Sequence, residues 1–271
     1  MMRKLSKISA VLILWACLTG SAFAADVKLE DASLLQIFDV LKGKEFVDMT
    51  HAFTLGIPHW PGFDDMKMEK IYDYDADGFY AHRYTLVGQW GTHVDPPAHF
   101  IKGLRMADQI DVKEMIAPLA VLDIREKVQK NPDYEASIKD LEEWESRNGP
   151  LPEGTFVALR TGWHKRWPDA KAFQNADEKG VAHFPAWGLD LLKVLFEDRK
   201  VRAIGHETTD TDAGYKGNME CETYVLSKNC YQIELLANTD SLPEWGALIV
   251  VTWPKPLNGS GFPARVFAIL P

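Results

Sequence analysis

The stretch Gln89-Trp90-Gly91-Thr92-His93-Val94-Asp95-Pro96-Pro97-Ala98-His99-Phe100 constrains this chain more than any other. One glycine and two adjacent prolines argue against a helix, because proline lacks the amide proton and clashes with the preceding turn, and glycine loses the most backbone entropy. An extended backbone is the natural expectation, and in an extended chain side chains alternate between faces. Gln89, His93 and Asp95 then share one side, with Gly91 leaving open space between them. His99 keeps the same parity beyond the bend at Pro96 and Pro97. Such a set of oxygen and nitrogen donors suits a divalent cation. The same residue types would also serve a polar turn with satisfied hydrogen bonds, and ligand types alone do not decide between the two.

Metal-assisted hydrolysis needs a cation to lower the pKa of water and polarise a carbonyl, and a base poised near neutral pH to move the proton. Asp95 and His93 suit the first task and His99 the second. The Thr92 hydroxyl can hold a ligand or a water in place.

The amino terminus reads as a secretory signal. Arg3, Lys4 and Lys7 form a basic start, Ile8 to Leu18 are mainly apolar, and Ala22-Phe23-Ala24 gives small residues at the spacing of a cleavage site. Cleavage after Ala24 would leave residues 25–271 as a single periplasmic domain. The apolar run is shorter than the roughly 20 residues that span a bilayer, so no membrane span is expected. The formal charge is −9 and becomes more negative once those three cations are removed, which excludes nucleic acid as a natural partner. Cys221 and Cys230 remain. An oxidising compartment would permit a bond between them, and two buried thiols fit equally well.

Ser33 to Leu41 follow a helical apolar spacing with Gly43 as a stop. Short apolar runs at Phe46–Met49, Tyr84–Val87, Leu119–Ile124, Phe156–Leu159, Val201–Ile204, Ala247–Val251 and Val266–Leu270 carry the β-branched and aromatic content of strands. Ile138–Ser146 and Trp187–Phe196 are amphipathic helical segments, and Glu220–Ser227 has a weaker helical pattern. The chain is therefore mixed α and β. A polar stretch from Pro61 to Gly78 interrupts the strands, alternation with helices is not strict, and no glycine-rich loop has the context of a phosphate site. A doubly wound nucleotide-binding sheet is disfavoured.

The segment Gly91 to His99 resembles the signature of the cyclase-like metal-dependent hydrolases, which include bacterial kynurenine formamidases and isatin hydrolases. That pattern is His-x-Gly-Thr-His-x-Asp-x-Pro-x-His, and every fixed position except the first is matched here. Phe46 to His51 resembles the opening strand of the family, and Tyr231 to Leu242 its late strand with a glutamate. The resemblance implies a swivelling β/β/α architecture and a homodimer. It makes His93 and Asp95 metal ligands, His99 the catalytic histidine, and Glu234 a carboxylate able to hold a second metal. Gln89 stands where the family has its first ligating histidine, and Glu222 where a second-site histidine is usual. An amide oxygen is a harder and weaker ligand than imidazole, so one ion is expected, manganese favoured over zinc.

His206 and Asp210 follow the Val201–Ile204 run and are expected to reach the substrate, with a solvated acidic loop as the alternative. Trp60 and Phe63 offer flat apolar walls for an aromatic or bicyclic substrate, whereas Trp90 points to the opposite face from Gln89 and His93. His51 reads as a satisfied strand-end residue. The leading expectation is hydrolysis of a C–N bond in a small formamide, lactam or related cyclic amide. Lactone opening by the same route is one alternative, and a periplasmic small-molecule binding protein without catalysis is another. His99 separates the hydrolase from the binder, since a pure binder needs no base beside the ion.

Overall fold

The computed structural model describes residues 32–271, so the expected leader and its cleavage site lie outside the described residues. In chain order the strands are β1 (Phe46–Asp48), β2 (Lys67–Tyr72), β3 (Ala81–Thr85), β4 (His93–Asp95), β5 (Ile116–Asp123), β6 (Glu135–Ala136), β7 (Phe156–Arg160), β8 (Ala186–Trp187), β9 (Ala203–His206), β10 (Tyr231–Glu234), β11 (Ala247–Thr252), β12 (Phe262–Pro263) and β13 (Arg265–Ile269). The α-helices are α1 (Leu34–Leu41), α2 (Tyr74–Asp77), α3 (Arg125–Lys130), α4 (Ile138–Asn148), α5 (Ala170–Gln174), α6 (Leu189–Lys193) and α7 (Glu220–Ser227).

The chain divides into two compact units, one ending at Lys42 and one running from Gly43 to Pro271. In the first, α1 begins with a reciprocal cap: the Ser33 amide donates to the Gln36 side chain at 2.8 Å, and the Gln36 amide to the Ser33 hydroxyl at 3.3 Å.

The second unit is built on a nine-stranded sheet in the order β1-β13-β11-β5-β7-β9-β10-β4-β12. Its centre, β5-β7-β9-β10, is parallel, and both arms are antiparallel. Alternate residues of β5 and β7 feed two different cores, which is why these strands read as continuous apolar runs rather than as alternating patterns. Leu122, Val157 and Leu159 face helix residues Leu141, Trp144, Leu191 and Val225. Leu119, Val121, Phe156 and Ala158 face a second core that also takes Val47 from one arm and Val94 from the other. Strands near opposite edges can share one core only if the sheet curls over itself. The mixed α/β class is as the sequence implied.

Two details depart from the sequence reading. The polar stretch Pro61–Gly78 contains β2 and α2, because β2 pairs with β3 in a separate two-stranded ribbon that is solvent-facing along most of β2 and so carries no apolar period. The Trp187–Phe196 helix starts only at Leu189 and passes into a π-type turn at Val194–Asp198, since Trp187 belongs to β8.

Candidate active site

Strand β4 holds the centre of the motif. Its antiparallel pairing with β10 sets His93 opposite Glu234 and Asp95 opposite Gln232. Of the extended backbone expected from Gln89 to Phe100, only His93–Asp95 forms a paired strand. Gly91 adopts a left-handed φ of 64°, and Pro97–His99 form a 3-10 turn. Simple alternation therefore does not bring Gln89 and His99 to the site; the two turns do.

The His93 ring is oriented by Nδ1, which lies 2.8 Å from the Gly91 carbonyl. A carbonyl only accepts, so Nδ1 carries a proton and a neutral ring turns its Nε2 lone pair the other way. That nitrogen lies 3.4 Å from Asp95 Oδ2 and 3.5 Å from Glu234 Oε2. All three side chains are buried. Acceptors facing acceptors in a buried place require a proton or a cation between them. Burial depresses the His93 imidazole, but Asp95 and Glu234 outweigh it and hold the pKa up at about 9. Burial and neighbouring carboxylates push Glu222 and Glu234 well above the usual range. Asp95 is held down, because His93 and His99 outweigh its own burial. The cluster is short of positive charge, and the donor atoms of His93, Asp95 and Glu234 lie within 4.8 Å of one another, as do those of Asp95, His99 and Glu222. These residues fit a hard divalent ion.

Gln89 donates from Nε2 to the Ser260 carbonyl at 2.8 Å and to Asp95 Oδ1 at 3.3 Å. Because the Ser260 carbonyl accepts only, the nitrogen is the atom turned toward Asp95 and toward His99 Nδ1 at 3.5 Å, so in this arrangement Gln89 presents N–H donors to the cluster. Gly261 makes this possible, since a Cβ there would fall 1.9 Å from Gln89 Nε2. His99 Nε2 stands 3.9 Å from Asp95 Oδ1 and 4.0 Å from Glu222 Oε1, with its ring partly open to the cavity.

Glu222 arrives on the first turn of α7. Met219, at the N-cap position, has φ 48° and supplies no side-chain cap. Asp212 takes over from the loop after β9 and accepts from the amides of Cys221 at 2.9 Å and Glu222 at 3.0 Å. Nothing in the local sequence of α7 reveals this partner. Gln232 was likewise missed, although it touches three of the acids.

A cavity of about 200 Å³ opens over these groups, with Trp60, Phe63, Phe100, Met219, Leu235 and Asp210 in its walls. Trp60 and Phe63 meet edge to face at 5.0 Å. His206, expected at the substrate, instead stands behind Glu234: its Nε2 lies 3.2 Å from Glu234 Oε1, and Nδ1 accepts from the Trp187 indole at 3.3 Å. Burial lowers its pKa to about 4. Asp210 is on the cavity wall, and burial raises its carboxyl to about 6. Thr92 points away from the cavity, donating to the Leu235 carbonyl at 2.6 Å and accepting from the His51 amide at 3.0 Å. Trp90 is fully buried and packs on His59. Cys221 and Cys230 are both free thiols.

A second polar cluster escaped the sequence reading. Glu207, fully buried, accepts from the Thr161 hydroxyl at 2.7 Å and the His164 amide at 3.1 Å, and lies 3.3 Å from the His164 ring. His51 is stacked on Trp167 at 4.2 Å, and its Nε2 is buried without a partner, contrary to the expectation of a satisfied ring.

The fold and these residues define a cyclase-type hydrolase architecture, and residues 47–213 match the family model for cyclases; the chain belongs to the cyclase family. Among its relatives, the isatin hydrolase of Roseibium aggregatum is 35% identical over 216 residues, covering 76% of this chain and 81% of that protein. A kynurenine formamidase of Bacillus cereus is 24% identical over 177 residues, covering 62% of this chain and 78% of that protein. The crystal structure of an isatin hydrolase bound to the product analogue thioisatinate superposes with a TM-score of 0.82 at 32% identity, covering 89% of this chain and 100% of the other. Isatin hydrolase A from Labrenzia aggregata, bound to benzyl benzoate, gives 0.82 at 30% identity, covering 88% and 99%.

Proposed function

We propose that this protein is a metal-dependent hydrolase that opens the C–N bond of a small aromatic amide, either a cyclic one such as isatin or an aryl formamide. One observation carries the reading: a buried imidazole nitrogen, His93 Nε2, faces two buried carboxylates, at the floor of an aromatic-walled cavity that also holds a second histidine. His93, Asp95 and Glu234 would hold one divalent ion, with Gln89 beside Asp95 and manganese the favoured occupant. Such an ion lowers the pKa of a water and polarises the carbonyl under attack.

The remaining work falls to the chain itself. His99 lines the cavity beside Asp95 and Glu222, where it can take a proton from the attacking water and return it to the leaving nitrogen. Trp60, Phe63 and Phe100 exclude water and hold a flat ring against the acid floor. Glu222 stands at the cavity edge, where burial and the neighbouring acids raise its carboxyl well above its usual range.

The sequence supports export to the periplasm after cleavage at Ala24. The exposed aromatic ribbon of β2 and β3 supports a homodimer. Among the described residues no helix is long and apolar enough to cross a membrane.

The test is turnover of isatin, an aryl formamide and a simple lactone by the chelator-stripped protein with and without added manganese or zinc. Metal-dependent ring opening of isatin or cleavage of the formamide is expected. Faster turnover of the lactone would move the assignment to ester chemistry, and no turnover on any of them would favour a binding protein.

A further inference from the structure

The cavity over the acids shares its wall with a second, larger one. His59, Trp60, Thr209, Asp210 and Met219 line both it and an adjoining chamber of about 490 Å³. The first cavity, at about 200 Å³, is smaller than the roughly 300–1,000 Å³ of small-molecule sites, and the two together fall within that range. A compact ring held over His93 and Asp95 would leave the larger chamber empty.

The far walls of that chamber include Phe173, Val181, Ala182 and Phe184, and both phenylalanines are buried. Gly214 lets this segment close in, since a Cβ there would fall 2.7 Å from the Ala182 carbonyl oxygen and 2.8 Å from the Phe184 ring. Among the described lining residues there is no lysine or arginine. Asp212 is committed to the start of α7 through the amides of Cys221 and Glu222. Asp210, in the shared wall, accepts from the Asp212 amide through one oxygen, Oδ1, at 2.8 Å, and its Oδ2 takes no hydrogen bond among the described residues. A substituent that passes Asp210 meets acid oxygens with no compensating cation, and then apolar surface. A carboxylate would lose its hydration there and gain repulsion, whereas an apolar group gains by burial.

We propose that the second chamber is the subsite for a neutral, apolar arm of the substrate, of the size of an aryl ring. The protein then acts on aromatic amides that carry a second ring and discriminates against those that carry a carboxylate arm. Asp210 sets the charge that is admitted, and the wall of Phe173 and Phe184 sets the size. The proposal rests on the reading of the neighbouring cavity as the reaction site.

Aryl amines, the products of formamide cleavage, report binding without turnover. The test is calorimetric titration of the full, untagged chain in manganese-supplemented buffer with ortho- and para-aminobenzophenone, with the matching aminoacetophenones that have a methyl in place of the second ring, and with aminophenyl ketones that have a carboxyethyl arm. At least one aminobenzophenone should bind about tenfold or more tightly than its methyl counterpart, as burial of a ring implies, and the carboxyethyl ketones no more tightly than the methyl ones. Val181→Trp and Ala170→Trp fill the chamber from two separate segments, and each should bring the ratio of phenyl to methyl ketone toward one, with circular dichroism confirming the fold. Equal binding of phenyl and methyl ketones, tight binding of the carboxyethyl arm, or an undiminished ratio in a folded variant would overturn the proposal. Kinetics on the corresponding formamides tests the reading beneath it, and kcat/KM should favour the same ring-bearing compounds. Ring-dependent binding with no turnover of any formamide or of isatin would overturn the hydrolase reading while upholding the chamber as a subsite.

Discussion

The Nδ1 proton of His93 is committed to the Gly91 carbonyl, and that single bond decides the electrostatics of the site by turning the other ring nitrogen toward two acids. His99 Nδ1 lies 3.5 Å from the Gln89 side-chain nitrogen rather than against a carbonyl, and its ring stays beside the cavity. Replacing it with alanine should lower kcat by about 10²- to 10⁴-fold, the usual worth of a positioned proton-transfer group, while leaving metal content unchanged. Steady-state kinetics with elemental analysis checks both halves, and a loss of bound metal would make His99 a ligand instead. A different residue sets part of the acid sensitivity. An unfolded histidine titrates near 6.5, whereas burial, reinforced by His164, lowers His51 to about 4. Between those values the unfolded chain binds more protons, so this contribution is complete above about 6.5 and is lost as pH falls toward 4. His51→Gln should therefore lose less of its urea midpoint than the wild type between pH 7 and pH 5. Equal losses would remove His51 as a cause.

Strands and turns show which parts of the site could be read from sequence. His93 and Asp95 were legible because β4 is extended, with both side chains on one face. Gln89 and His99 were placed on the same side by a parity that the backbone does not keep, and they reach the site through the left-handed Gly91 and the 3-10 turn at Pro97–His99. Gln232 and Asp212 were illegible for another reason: their roles come from strand register and from a cap supplied by the loop that precedes α7, neither of which leaves a local pattern. The β2-β3 ribbon was hidden by its own exposure. Tyr72, Phe79, Tyr80 and Tyr84 are open to solvent there, and a two-stranded ribbon is marginal alone. Under the proposed homodimer this ribbon is covered by the second copy. Tyr80→Ser combined with Tyr84→Ser should shift sedimentation toward monomer without unfolding the chain. An unchanged dimer would place the interface elsewhere, and a wild-type monomer would contradict the dimer itself.

At the scale of the molecule, the parallel centre and antiparallel arms form one sheet whose curl encloses a second core and sets β4 beside β10 near one edge. The apolar runs announced those strands, while the order in which they pair needed the three-dimensional structure. That order makes the site, because it brings a motif near residue 93 against acids beyond residue 220. Calorimetric titration of manganese into the chelator-stripped, untagged chain, beside Asp95→Asn, tests the account most directly. Saturable binding is predicted for the wild type, weakened by about tenfold or more when Asp95 loses its charge. Absence of saturable binding, or equal affinity in the variant, would contradict it.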